Sequence, residues 1–516
     1  MKKKIIGITA CLIMIVACIA AVALTETEGN YRYHQHLEAL TKPSCRHTEK
    51  ELCTHLPLVS ISTGNQTIPG RAVVKNDKTI GYTKTKDGSD RIAAEISVYD
   101  SDSKNNHITD SPAVSSDITI HVRGNSSRSF DKAGYRIKLI KPDGTKNPQS
   151  VMGMAAHEDW VLHGPFLDKT LIRNYMWYNI AGEIMDYAPN VRFCELVIDG
   201  EYMGVYVMTE AVTAGDDTGR INISADPEEN FLSGYVLLLD RLDGNEYNQL
   251  KSFTTYTLRT RHKLEIVYPG EKRLTPGLYE KIKKDFSAFE KTLYSYDYND
   301  KKYGISRLMD AESFADYFII NEFTCNYDAG WLSTYIYKDA DGRFRMCIWD
   351  FNSACDNYQQ SQMDSQHFEM QNCLWYFMLM KDEDFTELCI KRYRQLRKTV
   401  LSEEYLNRYI DDTVSYLGPA IERNYEKWGY SFNKKHDMLR PQSRNPRTYG
   451  QSIEQMKKFI KERGEWMDDN IESLRQYSAP SKIKKFNEVA IKQNRRHYEK
   501  ISGGIIGSGC SGDDYQ

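Results

Sequence analysis

The chain has no Gly-x-x-x-x-Gly-Lys-Ser/Thr loop and no His-Glu-x-x-His pair, so neither a P-loop NTPase nor a zincin protease has its machinery here. A Gly-x-Gly-x-x-Gly run, Gly507 to Gly512, lies in the last ten residues, with no room for the helix a dinucleotide site needs. An excess of positive charge is also missing. The formal net charge is −3 with 27% charged residues, so there is no global basic field and nucleic acid is not a favoured partner. The 11 cysteines follow no regular disulfide spacing.

What is present begins at the N-terminus. Lys2, Lys3 and Lys4 precede an uncharged run from Ile5 to Leu24, about the 20 residues a membrane-spanning helix needs. Residues 1–25 read as a signal peptide or membrane anchor that sends the bulk of the chain out of the cytoplasm, either held at the cell membrane or secreted. Residues 26–56 are polar and read as a stalk. Within them Cys45 and Cys53 would pair in an oxidising compartment. The same loop carries His47 and His55, a Cys/His set of the zinc-binding kind, but structural zinc sites use tighter Cys pairs, which favours a disulfide or no bond.

The folded part is long enough for two to four units, roughly one per 150 residues. Leu58-Val59-Ser60-Ile61-Ser62 and Ala93 to Tyr99 read as strands, as do Ile118 to Val122 and Tyr135 to Ile140. Alternation in the last of these puts Tyr135, Ile137 and Leu139 on one face and Arg136 and Lys138 on the other. Between these two strands lies Arg123-Gly124-Asn125-Ser126-Ser127-Arg128-Ser129. Such a Gly/Ser/Asn loop exposes backbone N–H groups that cradle phosphates, and a lysine on the next strand reaches the same anion; the alternative is an ordinary hairpin with a solvated basic face.

Asp168 to about Met185 reads as a helix, and Phe193 to Met208 as a hairpin turning on Asp199-Gly200. Gly234 to Asp240 and Leu264 to Tyr268 are further strands, and Ala311 to Asn321 is an aromatic helix. A second hairpin, Thr334 to Ile348, is bracketed by Asp328 and Asp350, the arrangement by which protein kinases place a catalytic base and a magnesium ligand. Beyond Glu383 apolar stripes at helical spacing, such as Phe385, Leu388, Cys389, Tyr393 and Leu396, read as core. The basic stretch Lys482 to Lys500 reads as a solvated extension.

RGNSS, YRIKL, EDWVLHG, LIRN, DGEYMGVYVMTE, FADYFIINE, NYD and WDF occur in the order seen in the CotH kinase family, which this chain resembles from about Leu58 to Tyr477. The resemblance implies an α+β, atypical protein-kinase-like fold. It divides the chain into a strand-rich N-lobe with the nucleotide loop (57–270), a mainly helical C-lobe with the catalytic hairpin (271–477) and a basic, Gly-rich tail (478–516). It also implies an extracytoplasmic kinase that transfers the γ-phosphate of ATP, with Mg2+ or Mn2+, to serines of a hydrophilic, Ser-rich surface or coat protein.

In that reading Asp328 is the catalytic aspartate and Asp350 the metal-binding one. Lys138, then Arg136, is the candidate for the phosphate-contacting cation, and Arg123, Asn125, Ser126 and Glu210 are further nucleotide-site residues. One position departs from the pattern: a kinase has a metal-binding asparagine five residues after its catalytic aspartate, where this chain has Ser333. Ser333, Asn352 or Asp356 would substitute. The alternative function is a surface or coat scaffold or adhesion protein that keeps the fold without catalysis, and a third keeps ATP but transfers AMP or an amino acid.

Overall fold

The computed structural model describes residues 32–479, apart from 44, 46–51, 77, 216–218, 225–231, 242–245, 255–261, 358–364 and 437. The expected N-terminal membrane segment, the tail beyond 479 and His47 lie outside the described residues. Among the described residues no helix is long and apolar enough to cross a membrane.

Seven strands close into a barrel: β1 (Leu58–Ser62), β2 (Ile92–Tyr99), β3 (Val114–Arg123), β4 (Gly134–Ile140), β5 (Asp159–His163), β6 (Val191–Ile198) and β7 (Glu201–Glu210), ordered β1-β6-β7-β5-β4-β3-β2. Only β1 and β6 run parallel. Closure leaves no open edge, and alternate side chains such as Ile120, Ile137, Trp160, Leu162 and Met208 fill the interior. The β6–β7 turn has Asp199 at φ 49 and Gly200 at φ 81, the double left-handed conformation for which Asp-Gly is suited.

A second sheet is ordered β9-β10-β8-β11-β12, from β8 (Tyr235–Arg241), β9 (Gln249–Leu250), β10 (His262–Tyr268), β11 (Thr334–Lys338) and β12 (Arg345–Cys347). The lobe boundary expected at residue 270 falls just after β10. β8 pairs with both β10 and β11, so a strand read as N-lobe is central to the sheet that carries the catalytic hairpin. Alternation identifies a strand but not its partner.

Helices α2 (Arg173–Ile184), α3 (Pro276–Leu293), α4 (Ala311–Thr324), α5 (Glu383–Leu396), α6 (Glu403–Leu417), α7 (Pro419–Trp428) and α8 (Tyr449–Asn470) gather around this sheet in one large core. Their starts are written locally: Thr275, Asp310, Ser402 and Thr448 each accept a backbone N–H at the N-cap. Helix α4 is buried on every side from Ser313 to Thr324. Helix α2 begins at Arg173 rather than Asp168. Asp168 instead precedes it, accepting the N–H of Thr170 and of Arg173.

The stalk also needs correction. Arg32, His34, Gln35 and His36 are buried, with Gln35–Glu38 forming the short α1. Arg32 donates to Asn179 and to the Ala188 and Pro189 carbonyls, Gln35 pairs with the backbone of Phe193, and the His36 ring meets Tyr175. Polar composition hid this because these side chains are buried through hydrogen bonds rather than apolar contact. Cys45 and Cys53 are thiols rather than a disulfide, and His55 is engaged by the Tyr416 carbonyl oxygen at 2.5 Å.

Gly204, in the DGEYMGVYVMTE stretch, lets helix and barrel meet. It sits at φ 99, and a Cβ there would lie 2.5 Å from Asn424 Oδ1 on α7. That oxygen accepts from the Val205 N–H (3.1 Å) and from the buried Lys132 Nζ (2.7 Å). Gly204→Ala is therefore expected to cost about 2–3 kcal/mol in urea unfolding, through a strained φ and a displaced buried acceptor.

Candidate active site

Where the barrel meets the second sheet there is a cavity of about 270 Å3. One wall is the loop after β3, from Arg123 to Arg128 and on to Phe130. Gly124 takes φ 107, which brings the chain back on itself: Arg128 Nε donates to the Gly124 carbonyl, and an added Cβ would strike the Ser127 hydroxyl. The Arg128 guanidinium also covers the Tyr82 ring at 3.9 Å, fixing the loop against the outer ribbon formed by Ala72–Lys75 and Lys78–Tyr82. The opposite wall carries Asp240, Arg241, Asp328, Ser333, Asp350 and Asn352.

The two aspartates are placed by a shared scaffold. Helix α4 stops at Cys325, φ 45, and the next residue, Asn326, bridges outward. Its amide donates to Asn321 Oδ1 (3.0 Å) and to the Asp350 carbonyl (2.9 Å), and its Oδ1 accepts from Ser353 (2.9 Å). The Asn of NYD thus ties the end of α4 to the WDF loop. Asp350 is held from α2: its N–H donates to the Tyr178 hydroxyl (2.9 Å), and the Phe351 N–H to Asn174 Oδ1 (2.8 Å). Arg173, neighbour of Asn174, donates to the carbonyls of Ala354 (2.8 Å) and Cys355 (2.9 Å) while paired with Asp168. Ser333, Asp350, Cys355 and Asp356 all have positive φ, from 50 to 61 degrees. Non-glycine residues held there cost energy and concentrate at functional sites.

Electrostatics separates the two carboxyls. Burial pushes Asp328 from the ordinary 3.8 up to about 7, the charge of Asp350 and that of Asp240 add to this, and Arg241 opposes it. A carboxyl titrating near neutrality is suited to exchange a proton at working pH. Burial also raises Asp240, with Arg123 opposing, and burial lowers His163, which the neighbouring Asp350 opposes.

Of the residues singled out from sequence, Arg123, Asn125, Ser126, Arg136, Asp328, Ser333, Asp350 and Asn352 line this one cavity. Three do not. Lys138 lines a neighbouring cleft with Arg91, Lys146 and Arg273, its ammonium 3.7 Å from Asp159. Arg136 is on the same face of β4, but two residues along a strand are about 7 Å, and the cavity reaches only the nearer of the two. Glu210 is buried at the end of β7, accepting from the N–H and the side-chain amide of Asn190, with Arg220 at 3.5 Å. Asp356 is engaged by Arg444 and Gln455.

Arg136, whose guanidinium forks onto Asp159 at 2.9 and 2.7 Å, lines both this cavity and the cleft of Lys138. If the cavity holds a polyphosphate, Arg136→Ala is expected to weaken nucleotide binding about tenfold or more and Lys138→Ala less than about twofold, by titration calorimetry. Asp240, Arg241, His121, Arg128 and His163 are cavity residues that sequence reasoning missed. His163 was inside EDWVLHG and Asp240 at the end of a recognised strand, but which residues face the cavity depends on two sheets meeting.

The model of the CotH kinase protein family matches residues 120–467, which takes in every cavity-lining motif named above. The chain is also 20% identical over 368 residues to the Inner spore coat protein H of Bacillus subtilis (strain 168), covering 69% of this chain and 88% of that one. The match begins in β3 just before the Arg123 loop and ends in α8, so strands β4 to β12 and helices α2 to α7 fall inside it, and the chain belongs to the CotH kinase family.

Proposed function

We propose that this protein is an ATP-dependent phosphotransferase acting on serine hydroxyls of a hydrophilic surface or coat protein. The observation that carries the reading is the placement of Asp328, its carboxyl raised to about 7, in one cavity with Asp350 and opposite the Arg123 to Arg128 loop. Asp328 orients the acceptor hydroxyl and takes its proton. The hydroxyl oxygen bonds to the γ-phosphorus as the bond to the bridging oxygen breaks, and ADP leaves with that electron pair. Arg123, Arg128 and Arg136 supply fixed positive charge where the phosphates carry negative charge.

The donors Asp350 and Asn352 are oxygen ligands of the kind a magnesium ion takes, with its remaining positions left to water and phosphate, and such an ion would offset phosphate charge. Ser333 adds a hydroxyl to the same cavity, a weaker ligand than the asparagine found in protein kinases. Action at a coat or other surface fits both the name of the bacterial relative and the apolar run at the N-terminus.

Titration calorimetry with ATP and magnesium is the direct test. Wild type is expected to bind, and Asp350→Ala to lose at least about tenfold in magnesium-dependent affinity. Equal binding by both would sink the assignment. Mass analysis of an incubated acceptor then separates gain of phosphate from gain of AMP. Ser333 favours a second reading, a coat scaffold that keeps the fold without catalysis, which predicts no nucleotide binding by the wild type.

A further inference from the structure

Far from the catalytic cavity, Cys45, Cys53 and His107 each direct one ligand atom into the same space, all within 4.8 Å of one another. Cys45 Sγ lies 3.2 Å from His107 Nε2. The other ring nitrogen, Nδ1, faces Asp110 Oδ2 at 3.2 Å, and that same oxygen accepts the His107 N–H at 3.0 Å. A carboxylate on Nδ1 leaves the Nε2 lone pair pointing at the two sulfurs, the orientation by which metal-binding histidines are held. The Asn105 amide donates to Cys53 Sγ at 3.4 Å.

We propose that Cys45, Cys53 and His107 bind a zinc ion, with Asp110 as the residue that orients His107. Two sulfurs at about 2.3 Å and one nitrogen at about 2.0 Å from the metal stand some 3.3–3.8 Å apart, so the group needs to close by about an ångström or less. Three protein ligands leave one tetrahedral position for water or a further donor. The cysteine spacing is wider than in common zinc motifs, and the histidine comes from a loop more than fifty residues on, so sequence spacing could not reveal the set.

The site would staple three segments: the arm that follows α1, the lead-in to β1, and the loop between β2 and β3. Thr54 and Asn106 already pair through their backbones beside it. Upstream of that arm, Arg32 and the α1 residue His36 pack on α2 through Asn179 and Tyr175, the helix whose Asn174 and Tyr178 hold the Asp350 loop. Zinc is thus expected to act structurally, by stabilising the arm.

The test is metal analysis of the full chain purified under reducing conditions and dialysed against metal-free buffer, then titrated with zinc chloride. Wild type is expected to retain about one zinc per chain, and its cobalt(II)-substituted form to show thiolate-to-metal charge-transfer absorption. Cys45→Ser, Cys53→Ser and His107→Ala should each lose the metal, and Asp110→Asn should weaken it roughly ten- to hundredfold. Asp350→Ala should keep the zinc and its cobalt spectrum, separating this site from the catalytic one. Zinc should raise the melting temperature of wild type and not of Cys45→Ser. Absence of zinc with Cys45 and Cys53 joined in non-reduced peptide maps would overturn the proposal, as would zinc retained by both cysteine variants.

Discussion

Asp328→Asn is expected to lower phosphoryl transfer by about a hundred- to ten-thousandfold, the range contributed by a positioned general base. It should also make the protein more stable at alkaline pH. The folded-state carboxyl titrates near 7 against an ordinary 3.8, so its neutral form is the one the fold favours. That stability is fully present below the ordinary value and is lost as pH rises through about 7, where the charge must sit beside Asp350 and Asp240. At about 1.4 kcal/mol per pKa unit, the charged carboxylate costs about 4 kcal/mol above neutrality.

An asparagine avoids that cost. Melting curves of Asp328→Asn and wild type should nearly coincide at pH 4 and separate increasingly toward pH 8, with the variant higher. Wild-type activity should rise with pH through the same window, because only the carboxylate accepts a proton. A variant no more stable than wild type at pH 8 would show that Asp328 carries no such burden, and a flat pH profile would remove it as base.

Arg173→Ala is expected to destabilise the protein by about 3–5 kcal/mol, because it leaves the carboxylate of Asp168 buried without its partner. Both side chains are 2% exposed, so solvent cannot take over. The functional consequence follows from the other side of the guanidinium. Losing the donors to Ala354 and Cys355 frees the loop that continues from Asp350, while Asn174 and Tyr178 still hold its start. Urea unfolding should show the stability loss, and calorimetry at low temperature, where the variant stays folded, should show weaker magnesium-dependent nucleotide binding. Arg173→Lys is expected to recover little of either, since one ammonium cannot replace a planar fork with three separate acceptors. Full stability in Arg173→Ala would mean that Asp168 finds another partner.

Much of the site was legible before the structure. Arg123, Asn125 and Ser126 share a cavity with Asp328, Ser333, Asp350 and Asn352 because each set occupies a short turn or loop end, whose position a local motif fixes within a residue or two. Lys138 lies on the face shared with Arg136, as alternation put it, but lines the neighbouring cleft, because face is a property of one strand and reach a property of two sheets. Glu210 was drawn in by the match to DGEYMGVYVMTE and Asp356 by its place shortly after Asp350, whereas their partners, Asn190, Arg444 and Gln455, come from elsewhere in the chain. Asp240 was missed although its strand was recognised, because nothing local says that β8 ends beside the catalytic hairpin.

By itself the sequence determined what depends on near neighbours: the strands with inward apolar alternation, the Asp199-Gly200 turn, the capped amphipathic helices, and the ordered motifs that mark the CotH kinase family. Tertiary structure alone decided what depends on residues far apart in the chain. It closed seven strands into a barrel, joined β8 to β11 across the expected lobe boundary, and folded the polar arm onto α2 through Arg32 and onto β6 through Gln35. It also raised Asp328 to about 7 by setting it in the protein beside two other carboxylates. The division is physical: turns, caps and alternation are set by dihedrals and spacing within a few residues, while pairing, burial and charge proximity are properties of the packed whole.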